Sequence, residues 1–109
     1  MRDNQVSMEV MKMKLADVKV YNMTSHNTER EIPNQFKIHA NGGVYFQSYN
    51  TVIAFVKDNH VSIIRGGLDY STTTNKWLYQ FLEEEAGLWH LNKRKVSKMM
   101  ESGEIETVD

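Results

Sequence analysis

Tyr70-Ser71-Thr72-Thr73-Thr74-Asn75-Lys76 sets a phenol, four hydroxyls, an amide and an ammonium against the start of an apolar stripe, Trp77, Leu78, Phe81 and Leu82. Two kinds of chemistry fit that arrangement. Hydroxyl oxygens accept hydrogen bonds from the free N–H groups of a helix start, so one of these residues is expected to cap a helix. The same N–H groups, with Thr73, Thr74 and Lys76, also suit a phosphate or carboxylate. Arg65-Gly66-Gly67 just upstream adds a cation and two residues that let backbone approach a ligand closely. On this second reading Arg65, Ser71, Thr73, Thr74 and Lys76 form an anion or nucleotide site. The Gly-x4-Gly-Lys-Ser/Thr spacing of a P-loop is absent.

Two further groups could bind rather than catalyse. Tyr45, Gln47 and Tyr49 alternate with Val44, Phe46 and Ser48. On a strand the two sets face opposite ways. If the second set faces a core, the first is a tyrosine-rich surface suited to anchoring a partner or to plain cross-strand pairing. Lys93, Arg94, Lys95 and Lys98 are the densest positive patch, with Trp89 beside them. They suit a solvated face, an acidic protein partner or nucleic acid. Glu101, Glu104, Glu106 and Asp109 follow closely and weaken that field.

Catalytic and metal sets do not assemble. His26, His39, His60 and His90 are scattered, without a carboxylate or cysteine at ligand spacing, although His39 and His60 lie on expected strands and could meet. No nucleophile-elbow motif supports a hydrolase triad. Glu83-Glu84-Glu85 reads as a polar helix face. The expectation is a protein that is not an enzyme and uses no cofactor or metal.

The chain has 109 residues, 40% of them hydrophobic, enough for one domain with a modest core. A net charge of −1 argues against a dedicated non-specific nucleic-acid binder. With no cysteine there is no disulfide framework and no thiol chemistry. The N-terminus lacks a signal-peptide core, and no apolar run approaches the roughly 20 residues of a membrane span. Asn22-Met23-Thr24 matches a glycosylation sequon, read as chance in a chain without a leader.

The elements that must carry these groups follow from periodicity. Residues 1–8 read as a loose terminus. Residues 8–21 are ambiguous, with helical spacing at Val10, Met13 and Leu15 but strand alternation at Val18 and Val20; a strand over 15–21 is preferred. Residues 22–34 are polar and contain Pro33, so a long loop is expected. Strands are expected over 35–40, 44–49, 51–56 and 60–65, separated by turns at Asn41-Gly42-Gly43 and Lys57-Asp58-Asn59. The third of these is almost wholly apolar and should be central and buried on both faces. A helix begins near Thr72 or Thr73 and ends at Gly87. A second runs over 93–102, capped by Asn92 and stopped by Gly103. The acidic tail 104–109 is expected to be loose. The fold class is α+β: a mostly antiparallel sheet of about four or five strands, followed by two C-terminal helices on one face.

Tyr45-Phe46-Gln47-Ser48-Tyr49-Asn50, then Asp69-Tyr70-Ser71-x-Thr73-Thr74-x-Lys76 and Phe81-Leu82, resembles an uncharacterised family of small bacteriophage proteins with a "YxSYN … DYSxTTxK…FL" signature. The resemblance covers roughly residues 35–103. It departs at Leu68, where the family has an aromatic residue, and at Asn75, where it often has Gly. The resemblance implies viral origin and action in the cytoplasm of a bacterial host. By analogy with small phage proteins, binding to a host or defence protein is expected, and the residues themselves offer Tyr45, Gln47, Tyr49, Lys93, Arg94, Lys95 and Lys98 as the surfaces for it. A sheet with helices on one face leaves the other bare. Tyr45 and Tyr49, with Ile53 or Phe55, would make an apolar patch there, so a homodimer is expected.

Overall fold

The computed structural model describes residues 17–109. It is an α+β structure in which a mostly antiparallel six-stranded sheet carries two C-terminal helices on one face. The strands are β1 (Lys19–Thr24), β2 (Glu31–Ala40), β3 (Gly43–Ser48), β4 (Thr51–Lys57), β5 (His60–Ile64) and β6 (Glu106–Val108). The helices are α1 (Thr72–Ala86) and α2 (Lys93–Ser102), both between β5 and β6. Spatial order follows chain order from β1 to β6. The first five strands form an antiparallel meander, and β6 joins β5 in parallel.

Turn chemistry fixes the meander. Asn41 and Gly42 both take positive φ (55° and 77°) between β2 and β3. Asp58 and Asn59 do the same (50° and 64°) between β4 and β5. Two left-handed residues give the turn whose twist matches paired strands, and Asn, Asp and Gly adopt that conformation most cheaply. The last connection differs because parallel strands need a long crossover. The two helices are that crossover, and they deliver Glu106–Val108 to the free edge of β5.

Two expectations fail for identifiable reasons. Residues 22–34 are not one long loop. β1 runs on to Thr24, β2 starts at Glu31, and a short turn closed by Ser25 and Arg30 joins them. Pro33 is accommodated because the pairing shifts there: Asn22 lies opposite Phe36 but Thr24 opposite Glu31, and Asn34 sits at φ 64°. A bulge is where a strand tolerates proline. The tail 104–109 is also paired rather than loose. Glu106, Thr107 and Val108 align with Ser62, Ile63 and Ile64, and Ile105 is buried. Three residues, beginning with Glu106 and followed by Asp109, carry no alternation to read. The first strand starts at Lys19; the rest of the expected 15–21 strand, and the loose terminus expected for 1–8, lie outside the described residues.

The core sits between the sheet and the helices. Phe46, Ile53, Ile63, Leu78, Phe81, Leu82 and Val96 are fully buried, and the Phe46 and Phe81 ring centroids are 5.5 Å apart. Trp77, Leu78, Phe81 and Leu82 face inward, as their spacing requires. β4 is buried at Ile53, Ala54 and Val56, and a bulge opposite Phe46 and Gln47 turns both Ile53 and Ala54 inward. Val52 and Phe55 point to the other face, so β4 is not buried on both sides.

β2 reverses the usual polarity. Its register puts Gln35, Lys37 and His39 level with Ser48, Phe46 and Val44, on the helix side. Phe36 and Ile38 lie level with Gln47 and Tyr45, on the open side. Lys37 is neutralised where it lies: its Nζ is 2.8 Å from a Glu84 oxygen and 2.7 Å from a Glu85 oxygen on α1. Burial opposes the lysine charge, but hydrogen bonds and attraction from Glu84 and Glu85 outweigh it, and its pKa rises. Burial likewise opposes the Glu84 charge; contacts with Lys37 and His26 prevail, and its pKa falls. Those glutamates therefore clamp helix to sheet rather than forming a purely solvated face.

Candidate functional site

The two segments singled out in the sequence meet in space. β3 ends at Ser48, and the chain turns through Tyr49 and Asn50 into β4. Tyr70 and Ser71 lead into α1 directly above this turn. Ser48, Tyr49, Thr51, Ile53, Tyr70, Ser71 and Thr74 line one cleft of about 340 Å³.

Hydroxyls tie the cleft floor together. Ser71 is the helix N-cap, extended at φ −169°, and its Oγ accepts from the Thr74 N–H at 3.0 Å. The cap is therefore Ser71 and neither Thr73 nor Thr74. Ser71 Oγ also donates to Thr74 Oγ1 at 3.0 Å. Thr74 Oγ1 lies 3.0 Å from Ser48 Oγ in a buried contact. A single chain of hydroxyls thus links the helix cap, the first helical turn and the end of β3.

The rim is aromatic. Tyr49 and Tyr70 are each more than half exposed, at 56% and 53%. Tyr49 has φ 54°, a conformation a bulky side chain rarely adopts. Two hydrogen bonds hold it there: its N–H donates to Asn34 O at 2.7 Å, and its carbonyl accepts from Gln47 Nε2 at 2.7 Å. Such strain costs about 1–3 kcal/mol and persists where neighbours over-determine it, often at sites of function.

Among the described residues no carboxylate, imidazole or amine lines this cleft. Its described lining supplies no general base to take a proton and no charge to polarise a bond. What it offers is two ring faces and hydroxyl edges, a surface for recognising a neutral polar or aromatic group.

The other sequence-derived residues disperse. Tyr45 and Gln47 lie on the open sheet face, Tyr45 against Phe55 with ring centroids 4.2 Å apart. Tyr49, expected beside them, leaves the strand and joins the cleft. Ile53, named for the same patch, is wholly buried on the helix side. The five anion-site residues do not converge. Arg65 lines a different cleft, near Gly66 and Lys93, and bonds Asp109 at 2.7 Å. Thr73 is exposed on the first turn of α1. Lys76 borders a third cleft with His26, Tyr79, Trp89 and His90, its Nζ 4.8 Å from the Trp77 ring.

The basic patch is partly engaged. Lys93 lies 3.1 Å from Asp69, and Lys95 Nζ donates to the Trp89 carbonyl at 3.1 Å. Arg94 and Lys98 are exposed. His39 and His60 do not meet: His39 stands edge-on to Tyr21, and His60 bonds Glu106 at 2.7 Å. Among the described residues no group of three or more histidines, cysteines or carboxylates could hold a metal. None of the described helices is long and apolar enough to cross a membrane.

Sequence reasoning gave Tyr70 no place among the binding residues, and it did not foresee Lys37 on the helix side. The signal for Tyr70 was its place between the exposed Asp69 and the cap, within the segment already singled out. Lys37 had none, because alternation reports two faces without saying which meets the helices.

The fold and the cleft are those of a small α+β protein whose recognisable segments surround a neutral aromatic cleft. The chain belongs to a family of unknown function, DUF8033, whose model matches residues 18–99. That span includes β1 to β5, α1 and both sides of the cleft. No curated protein and no solved structure matches the chain.

Proposed function

We propose that this protein is a non-catalytic binding protein that captures a partner protein at the Tyr49–Tyr70 cleft. The observation that carries this reading is the convergence of two separated segments on one neutral cleft, rimmed by two exposed tyrosines, one of them held in a strained backbone conformation. Tyrosine supplies a large, rigid contact area with a hydroxyl at its edge, which makes it a favoured interface anchor. The resemblance to phage proteins supplies the finer part of the proposal: the partner is a host or defence protein in the cytoplasm of an infected bacterium.

Capture from a bacterial host lysate tests it, comparing the unaltered protein with a Tyr49→Ala/Tyr70→Ala variant. Both side chains are exposed, so the variant should remain folded by circular dichroism. The expected result is one stable partner, retained by the unaltered protein and lost by the variant. Equal capture by both proteins would refute the cleft. A purified protein that captures nothing but turns over a nucleotide would refute the binding function.

A further inference from the structure

Among the described residues Trp89 is the most exposed large apolar side chain, at 59%. Leu88 and Leu91, its neighbours in the α1–α2 connection, pack against the core, while the indole stays in water and forfeits that burial. The connection is held in the shape that keeps it there. Gly87 ends α1 at φ 65°, and His90 sits at φ 56°, uncommon for a residue with a side chain. Lys95 Nζ donates to the Trp89 carbonyl at 3.1 Å, and the Lys93–Asp69 pair at 3.1 Å sets the start of α2 beside the start of α1. Residues 88–92 therefore run back along α1. Between them and the helix lies a groove of about 370 Å³. One wall is the outer stripe of α1, Lys76, Tyr79, Gln80 and Glu83, at the i, i+3, i+4 and i+7 spacing of one helix face. The other wall carries Trp89 and His90. Thr74 and the Tyr49–Tyr70 cleft lie on the opposite side of the same helix.

The cations here are unspent. Lys37, Arg65 and Lys93 each meet a carboxylate, whereas Lys76, Lys95 and Lys98 are ion-paired with none among the described residues. Glu84 is engaged by Lys37 and His26, and Glu101 lies on the other flank of α2, lining the Arg65 cleft. Glu83 is the one carboxylate of the described lining, and it stands about 10 Å along the helix from Lys76. We propose that this groove binds single-stranded nucleic acid, with an unpaired base stacked on Trp89 and backbone phosphates against Lys76, Lys95 and Lys98. An exposed indole face beside unpaired ammonium groups matches both halves of a nucleotide. An acidic peptide would use the cations and leave the indole idle, and a duplex has its base faces already covered. Cations on two helices exceed what the phosphate of one free nucleotide can meet. Lys98 continues from Lys95 one turn along α2, which gives the backbone a path out of the groove. The net charge of −1 restricts such binding to this face instead of spreading it over the surface.

The experiment is fluorescence anisotropy of a labelled single-stranded DNA of mixed sequence, titrated with the full chain at several salt concentrations. Affinity should fall as salt rises, with a log–log slope of about −2 for three phosphates neutralised. Trp89→Ala should weaken binding about tenfold or more, and Trp89→Phe, which keeps a ring face, should restore most of it. Lys76→Ala should flatten the salt slope by about 0.7. Trp89 and Lys76 are both exposed, so circular dichroism should be unchanged in every variant. No binding at low salt overturns the proposal, and so does a strand held equally by Trp89→Ala. Equal affinity for a duplex, or displacement of the strand by polyglutamate at equal charge, overturns it as well, because phosphate or charge alone would then account for binding. A nucleoside monophosphate bound as tightly as the strand would also overturn it, since the cations of α2 would be idle. Tyr49→Ala/Tyr70→Ala should bind the strand like the unaltered protein, so this site and the partner cleft stand or fall separately.

Discussion

Thr74→Val tests the hydroxyl chain beneath the cleft. Valine keeps the shape of threonine and removes only Oγ1. Thr74 and Ser48 are 3% and 4% exposed, so water does not replace the lost partner. The substitution removes two hydrogen bonds of 3.0 Å, to Ser48 and to Ser71. Each contributes about 0.5–1.5 kcal/mol net, and a buried hydroxyl left alone costs about 1–3 kcal/mol. Ser71 still caps the Thr74 N–H and can reach solvent, so the orphan is Ser48. The expected loss is about 2–3 kcal/mol. Ser48→Ala alone should cost only about 0.5–1.5 kcal/mol, because Thr74 keeps its bond to Ser71. In the double variant no hydroxyl is orphaned, so its loss should fall short of the sum of the two by about 1–2 kcal/mol. Urea unfolding of all four proteins measures this, with equal slopes confirming that only stability has changed. For a domain near this size each kcal/mol also moves Tm by about 4–8 °C. Losses that add to within about 0.5 kcal/mol would refute the reasoning, because Ser48 and Thr74 would not depend on one another.

The Lys37 clamp should make stability depend on pH. The folded Glu84 pKa is lowered, so its contribution is full above the ordinary carboxylate value and is lost as pH falls through the folded one; the raised Lys37 value makes its contribution full below the ordinary lysine value and lost only at higher pH. Lys37→Met should therefore cost about 1–3 kcal/mol near neutral pH, between exposed and fully buried pairs. The deficit should shrink below about pH 4, and a deficit constant from pH 3 to 7 in urea titrations would contradict the clamp. Gly87→Ala probes the end of α1, where φ is 65° and an added methyl meets nothing within 4 Å. Backbone strain alone should cost about 1–2 kcal/mol, and a thermal melt unchanged from the parent would show that the helix ends without that left-handed residue.

Much of this protein was legible from local chemistry. Asn41-Gly42 and Asp58-Asn59 specify turns because few other residues adopt positive φ without strain. Trp77, Leu78, Phe81 and Leu82 specify an inward helix face because their spacing matches the helical repeat. Asn92 and Gly103 bound α2 by capping chemistry that needs only neighbouring residues. The four central strands, both helices and the α+β class follow from rules of that range.

What the chain alone left open required knowing what lies across from what. Pro33 reads as a loop residue until the bulge opposite Asn22 and Thr24 gives it a place. Glu106–Val108 has no strand pattern, since its pairing depends on the edge of β5 being free after a crossover of some forty residues. Alternation along β2 was plain, but only the carboxylates of α1 decide that Lys37 turns inward and Phe36 and Ile38 outward. The cleft is of the same kind. Its two segments are separated by β4 and β5, and nothing local places Tyr49 opposite Tyr70. Sequence determines conformation over a few residues, where sterics and hydrogen bonding act within one turn or hairpin; which faces meet is decided by packing among distant elements, and this protein's open face and aromatic cleft exist only at that level.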